Sequence, residues 1–167
     1  MFSLEVNDGK ETKTEKALKA LLKSNGAYVE IGHFSESGMH PEADITFVDL
    51  MKYHSAGDPS KLIPSRPVLE ILKNSLLQVT KNIHIGNALK RFKEQGFEHK
   101  ALGHTLRSIG LAIGEEEVDI FGSRRLIGNS ERVKAIKGED APLVDTQALV
   151  EEVSYRDSIS KTIHKVL

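Results

Sequence analysis

Apolar positions along this chain recur at helical spacing through the middle and alternate near both ends. In residues 11–24, "ETKTEKALKALLKS", Ala17, Leu18, Leu21 and Leu22 form one stripe with lysines opposite, which predicts an amphipathic helix. Asn25-Gly26 stops it. "AYVEIGHF" then alternates: Tyr28, Glu30, Gly32 and Phe34 on one side, Val29, Ile31 and His33 on the other, the period of a strand. After the polar loop "SESGMHPEAD", Ile45, Val48, Leu50, Met51 and Tyr53 predict a short helix closed by Gly57.

"DPSKLIPSRP" carries three prolines. Pro67 suits the first turn of the next helix, where its missing N–H is not needed, and Ser65 is the predicted N-cap. That helix carries the stripe Leu69, Leu72, Leu76 and Val79. Further helices are predicted from about 83 to 94, ending at Gln95-Gly96, and from about 98 to 113, with Leu102, Leu106, Ile109 and Ile113 on one face. Near the end, Asp145 or Thr146 caps one helical turn, and "VEEVSYR" and "KTIHKVL" alternate like strands. There is no internal repeat and no low-complexity tract. The reading is one α+β domain spanning 1–167, with residues 1–10 a flexible tail. A small, mainly antiparallel sheet from N- and C-terminal strands is packed by several helices from the middle of the chain.

Composition narrows the function classes. A chain of 167 residues can bury a core of its own, though 39% hydrophobic content is modest. A formal net charge of -1 argues against coating nucleic acid through bulk charge but leaves room for a local basic patch. The absence of cysteine excludes disulfides and Cys-based metal sites and suits a reducing compartment. No run reaches the roughly 18 apolar residues of a membrane span. "MFSLEVNDGKETKTEK" lacks the basic start and apolar block of a signal peptide, so a protein made in the cytoplasm of its host cell is expected.

Candidate chemistry is thin. The seven histidines, His33, His40, His54, His84, His99, His104 and His164, include no i, i+4 pair and no HExxH. No G-x-S-x-G occurs, and "GSRRLIG" lacks the phosphate-loop pattern. Asp44 and Asp49, and Glu115 to Glu117, read as solvated helix faces. No catalytic residue, metal or cofactor is expected.

The segment from Gly122 to Gly138 stands out, with Arg124, Arg125, Arg132, Lys134 and Lys137 against Glu131 alone. It reads either as a mobile surface loop or as an arm that touches phosphates or an acidic partner surface. Its nearest aromatic is Phe121, at the edge, so base reading is not expected. Residues 139–152 follow with Glu139, Asp140, Asp145, Glu151 and Glu152 and no basic residue. A basic and an acidic patch on one chain can meet between neighbouring copies, and head-to-tail contacts of that kind close into rings.

Three stretches taken together resemble a known family. "FVDLMKYHSAGD", 47–58, resembles its "hHEfG" segment, and "IPSRPVL", 63–69, its "IPxRPFL" signature. "GNSERVKAIKGEDAPLVDTQALVEEVSY", 128–155, resembles its "pNSxxTixxKGsdxPLvDTGqLxxSisY" tail. The family is the neck or tail-completion proteins of long-tailed bacteriophages, related to virion-morphogenesis and minor tail proteins. The resemblance runs from about Gly26 to Tyr155, and its most specific piece is "KGEDAPLVDT". The chain departs from the pattern at Ser55 and Ala56, where an acid and an aromatic are usual, at Val68 in place of an aromatic, and at Gln147 in place of glycine.

The resemblance implies an α+β subunit that is not an enzyme and needs no cofactor. It implies a homo-oligomeric ring, of six or twelve copies, at the head–tail junction of the virion, assembled in the host cytoplasm and involving no membrane. Its partners would be tail terminator or tail tube proteins, head connector or stopper proteins, and viral double-stranded DNA in non-specific proximity. The motif residues His54, Gly57, Pro64, Arg66, Pro67, Pro142 and Asp145 would be structural. Arg66 would pair with a carboxylate of its own chain or of a neighbour. Arg124, Arg125, Arg132, Lys134 and Lys137 would face the next subunit or DNA. Two alternatives stand beside this reading: a tail terminator or other minor tail protein, and, from another class, a small non-specific nucleic-acid-binding module.

Overall fold

The computed structural model describes residues 26–79, 83–96, 98–138, 140–143 and 147–167. The predicted helix at 11–24, the tail at 1–10 and the caps at Asp145 and Thr146 lie outside the described residues. In chain order the elements are β1 (Val29–Gly32), a 3-10 turn (Ser35–Ser37), α1 (Phe47–Ala56), a second 3-10 turn (Pro59–Lys61), α2 (Val68–Val79), α3 (Ile83–Glu94), α4 (His99–Ile120), α5 (Glu131–Lys137), α6 (Ala148–Glu151), β2 (Ser154–Asp157) and β3 (Ile163–Lys165). The sheet runs β1-β2-β3, antiparallel throughout, with Ile31 opposite Tyr155 and Tyr155 opposite His164. The α+β architecture read from the sequence is therefore the observed one, and the central strand comes from the C-terminal region.

Local chemistry explains the boundaries. Thr46 caps α1 by accepting the Asp49 N–H at 3.1 Å while its own hydroxyl donates to the Asp49 carboxylate at 2.8 Å. Gly57 ends α1 at φ 71, ψ 174, a conformation essentially reserved for glycine. A Cβ there would also stand 2.6 Å from the Ser65 nitrogen and 2.9 Å from the Ile63 carbonyl oxygen. Ser130 caps α5 and Gly138, at φ 78, closes it.

Several expectations need correction. Ser65 does not cap α2. Its hydroxyl donates to the Ser55 carbonyl at 2.5 Å, and the first α2 turn closes from the Ile71 N–H to the Pro67 carbonyl. Residue 65 lies too far before the helix, and the orphan carbonyls at the end of α1 take its hydroxyl instead. Among the described side chains of α2, Val68 and Leu72 are buried while Leu69 and Leu76 of the expected stripe are exposed; the Val79 side chain lies outside the described part. In addition, α4 extends 22 residues to Ile120, past the predicted end at Ile113.

The inner core joins α1, α2, the end of α4 and the C-terminal region through Phe47, Met51, Val68, Leu72, Ile120 and Leu149. A second cluster, Phe92, Ala101, Leu102 and Leu106, closes the α3–α4 hairpin over Val29 and Ile159. On the outward face of the sheet, Arg156 reaches Glu30 at 2.8 Å and Glu36 at 3.2 Å over the Phe34 ring, so that face is polar.

Glycines bring α4 onto the sheet. A Cβ on Gly110 would stand 2.5 Å from Tyr155 Cδ2 and 3.0 Å from Val29 Cγ1, and one on Gly114 would run into Val166. Gly86 of α3 has nothing within 4 Å of its missing Cβ. Alanine gains about 1 kcal/mol over glycine inside a helix, and overpacking costs about 1–3 kcal/mol. Gly86→Ala should therefore stabilise by up to about 1 kcal/mol and Gly110→Ala should destabilise by a net of about 1–2 kcal/mol in urea unfolding. Shifts of the same sign would contradict the close seating of α4.

Candidate functional site

The site is built outward from Arg66. Pro64 and Pro67 stiffen the chain on either side, and the Arg66 N–H donates to the His54 carbonyl at 2.7 Å. Its side chain then runs inward and is only 7% exposed. Nε donates to the Ile127 carbonyl at 2.9 Å, and Nη2 to the Gly128 carbonyl at 3.2 Å and to Asn129 Oδ1 at 3.1 Å. The expected carboxylate partner is not what the guanidinium meets: its fork lands on backbone carbonyls and an amide oxygen. Burial pulls the Arg66 pKa below its ordinary value, and the nearby Asp140 charge works the other way.

Asp140 ties the same stretch from the other side. It accepts the Asn129 N–H at 2.7 Å and pairs with Lys134 at 3.2 Å. That amide bond, ahead of the opposing cost of burial and the help of Lys134, holds its carboxyl below the usual range. A Cβ on Gly128 would collide with the Asp140 carboxylate. The Gly122 N–H donates to the carbonyl of the buried Pro142 at 2.9 Å, and Leu126 is sunk in the core. The basic segment is thus a stapled turn followed by a capped helix.

These ties sort its charges. Arg125 pairs with Glu116 of α4, and Lys134 with both Glu131 and Asp140. Arg124 and Arg132 are exposed and pair with no carboxylate among the described residues. The Lys137 side chain lies outside the described part. The acidic stretch is partly spent inside the chain as well, since Asp140 serves Lys134 and Glu152 pairs with Lys165 at 2.5 Å. The expected meeting of these patches between copies therefore shrinks to what stays free.

Two residues on this segment escaped the sequence reading. Ile127 is 59% exposed and Ile136 is 77% exposed, Ile127 following Arg124 and Ile136 following Arg132 along the segment. For Ile136 the signal was available: a seven-residue helix bordered by polar turns has little apolar face to bury it.

Of the other motif residues, Gly57 ends α1 and His54 anchors the Arg66 turn. His54 supplies the carbonyl that holds Arg66, and its ring lies against Tyr53. Burial, and then the Arg66 charge, lower its pKa. Asp145 is outside the described residues. Among the described residues no group of three or more His, Cys, Asp or Glu side chains forms a metal cluster, and no helix is long and apolar enough to cross a membrane.

Glu117 does not lie on the solvated face that its charge predicts. It is fully buried, and neither carboxylate oxygen has a hydrogen-bond partner. Desolvation pushes its pKa to about 7. His33 lies beside it between Phe47 and Phe121, its Nε2 donating to the Leu149 carbonyl at 2.7 Å and its Nδ1 4.0 Å from Glu117 Oε1. Burial lowers the His33 pKa despite that hydrogen bond and the Glu152 charge. The spacing suits an ion pair, but both shifts favour the neutral forms. We assign a neutral pair, because a carboxylate with no donor does not stay ionised in such a site. Spacing could have exposed Glu117, which continues the stripe Leu106, Ile109, Ile113 toward Ile120.

Comparison with protein-family models, curated proteins and solved structures finds no match to this chain.

Proposed function

We propose that the chain is a virion structural protein of a long-tailed bacteriophage, forming a ring at the head–tail junction that joins the tail to the DNA-filled head around the DNA channel. The observation that carries this reading is the link made by Arg66. The "IPSRP" motif and the start of the "GNSERVKAIKGEDAPLVDT" motif carry the resemblance from separate parts of the sequence, and Arg66 joins them through Ile127, Gly128 and Asn129. Two motifs that act as one unit support a shared architectural role. The unit holds out Arg124, Ile127, Arg132 and Ile136, the mixture of apolar area and arginine that packs well against a neighbouring subunit. A ring subunit needs such surfaces more than a pocket, and weak contact with DNA suits a channel through which DNA moves.

The test is cryo-electron microscopy of purified virions carrying a tagged chain, beside virions assembled with Arg124→Glu/Arg132→Glu. The tag should fall in a ring between portal and tail tube. The double variant should cut the joined fraction by about tenfold or more, the scale of losing one interface hot spot. A ring elsewhere along the tail would move the protein to a terminator or minor tail role. Absence from the virion would bring the nucleic-acid module forward, and normal joining by the variant would remove this surface from the interface.

A further inference from the structure

Between α3 and α4 lies a groove of about 470 Å³. One wall carries Asn87, Arg91 and Gln95, which recur every four residues and so share one line along α3 and its end. The other carries His104, Arg107 and Ser108 of α4. The floor includes Ala88, Ala112 and the buried Tyr155.

The chemistry of this lining is lopsided. Arg107 Nη2 stands 2.8 Å from His104 Nδ1. A guanidinium only donates, so Nδ1 accepts, and the neutral ring carries its N–H on Nε2. Asn87 and Gln95 add amide donors. The one carboxylate in the lining is Glu115, about two helical turns beyond Arg107. Elsewhere many cations have found acids: Arg125 has Glu116, Lys134 has Asp140, Arg156 has Glu30 and Glu36, and Lys165 has Glu152. Among the described residues neither Arg91 nor Arg107 has a carboxylate oxygen within 4.0 Å. Asp157 feels the Arg107 charge, but that carboxylate is fully buried and already accepts from Ile159 and Ser160 in its own turn.

We propose that this groove binds a small phosphate-bearing ligand, with Arg91 and Arg107 on the phosphoryl oxygens and the ligand body over the Ala88, Ala112 and Tyr155 floor. Two guanidinium forks from facing helices supply more charge than a single carboxylate balances, whereas a phosphate monoester offers about two charges and three acceptor oxygens. The volume suits a ligand of nucleotide size, since small-molecule pockets run from about 300 to 1,000 Å³. This inference does not depend on the ring reading.

The experiment is calorimetric titration of the full chain at low salt with adenosine monophosphate, with inorganic phosphate, and with a short single-stranded oligonucleotide. Arginine-dependent binding of either small probe is expected. Arg91→Gln, on an exposed side chain whose loss leaves the fold intact, should weaken it about tenfold or more. Glu115→Gln, which removes the opposing charge, should tighten it by about twofold to threefold. Arg107→Gln should match Arg91→Gln, with Arg107→Lys retaining part of the affinity and checking the fold. Two results overturn the assignment of a small ligand: no heat from either small probe up to about 10 mM, or affinity unchanged in Arg91→Gln. So does binding of the oligonucleotide alone, which would give the groove to a nucleic-acid backbone.

Discussion

Replacing Arg66 by methionine should lower the unfolding free energy in urea by about 3–5 kcal/mol. Methionine keeps much of the arginine stem and its packing, so the comparison isolates the fork. The fork makes three hydrogen bonds, to Ile127, Gly128 and Asn129, from a side chain that is nearly buried. Three charge-assisted bonds at about 1.5–3 kcal/mol each would overstate the loss, because the variant also sheds the cost of burying a guanidinium. Two carbonyls and an amide oxygen lose their donor, and Asp140 loses the cation behind it. Arg66→Lys should recover little, since an ammonium is a point charge and cannot span the separate Nε and Nη2 acceptors. Amide hydrogens of Val133 to Gly138 should exchange faster in both variants. Stability within about 1 kcal/mol of the parent for Arg66→Met would show that the fork is replaceable and that the segment is held by other means.

Glu117→Gln should produce a stability difference that depends on pH. In the folded chain the Glu117 carboxyl keeps its proton up to about 7, while in the unfolded chain it releases it near 4.5. The stabilisation from the neutral carboxyl is complete below pH 4.5 and is lost as pH rises through about 7. His33 acts in the opposite sense: its pKa is lowered from 6.5, so its share is present above pH 6.5 and fades as pH falls. Below 6.5 the two slopes offset each other in the parent. The glutamine variant keeps only the His33 slope. A rise from 4.5 to about 7 corresponds to ~3 kcal/mol at about 1.4 kcal/mol per tenfold change in proton affinity. The variant should match the parent near pH 4.5 and exceed it by that order at pH 8, read from urea titrations at both values. If Glu117 and His33 were instead a charged pair, glutamine would destabilise near neutral pH, where both partners would be ionised, and the sign would reverse there.

Where periodicity is one-sided, the sequence was sufficient. The stop at Gly57, the α3 span and the strands from Ser154 onward each follow from a clear period or a residue with a single conformational role, whereas Val150 and Glu151, expected to begin a strand, close α6 instead. On α2 the pattern is two-sided. Val68, Leu69, Leu72 and Leu76 allow two adjacent stripes, and only the packing partner decides that Val68 goes in and Leu69 stays out. Glu117 failed for another reason. Its position on the α4 stripe argued for burial, its charge argued against, and charge prevailed in the reading although the surrounding core protonates it. The basic segment was legible as a composition. Its internal pairs were not, because Glu116, Glu131 and Asp140 reach Arg125 and Lys134 through turns whose geometry the residue types do not determine. Arg66 was marked as important by its flanking prolines, yet its acceptors lie about sixty residues onward, beyond local reasoning.

The sheet carries a consequence for how the protein is made. β1 occupies residues 29–32 and its partner β2 begins at Ser154. During synthesis β1 leaves the ribosome with its pairing edge open and waits until Ser154 to Asp157 have been translated. The α3–α4 hairpin, built from neighbours in sequence, can form in the meantime, whereas pairing of the strands must close a very long loop. A premature stop before Ser154 would therefore release helices with an orphaned strand, a template for aggregation. Translation through Asp157, where β2 ends, decides whether β1 finds its partner at all.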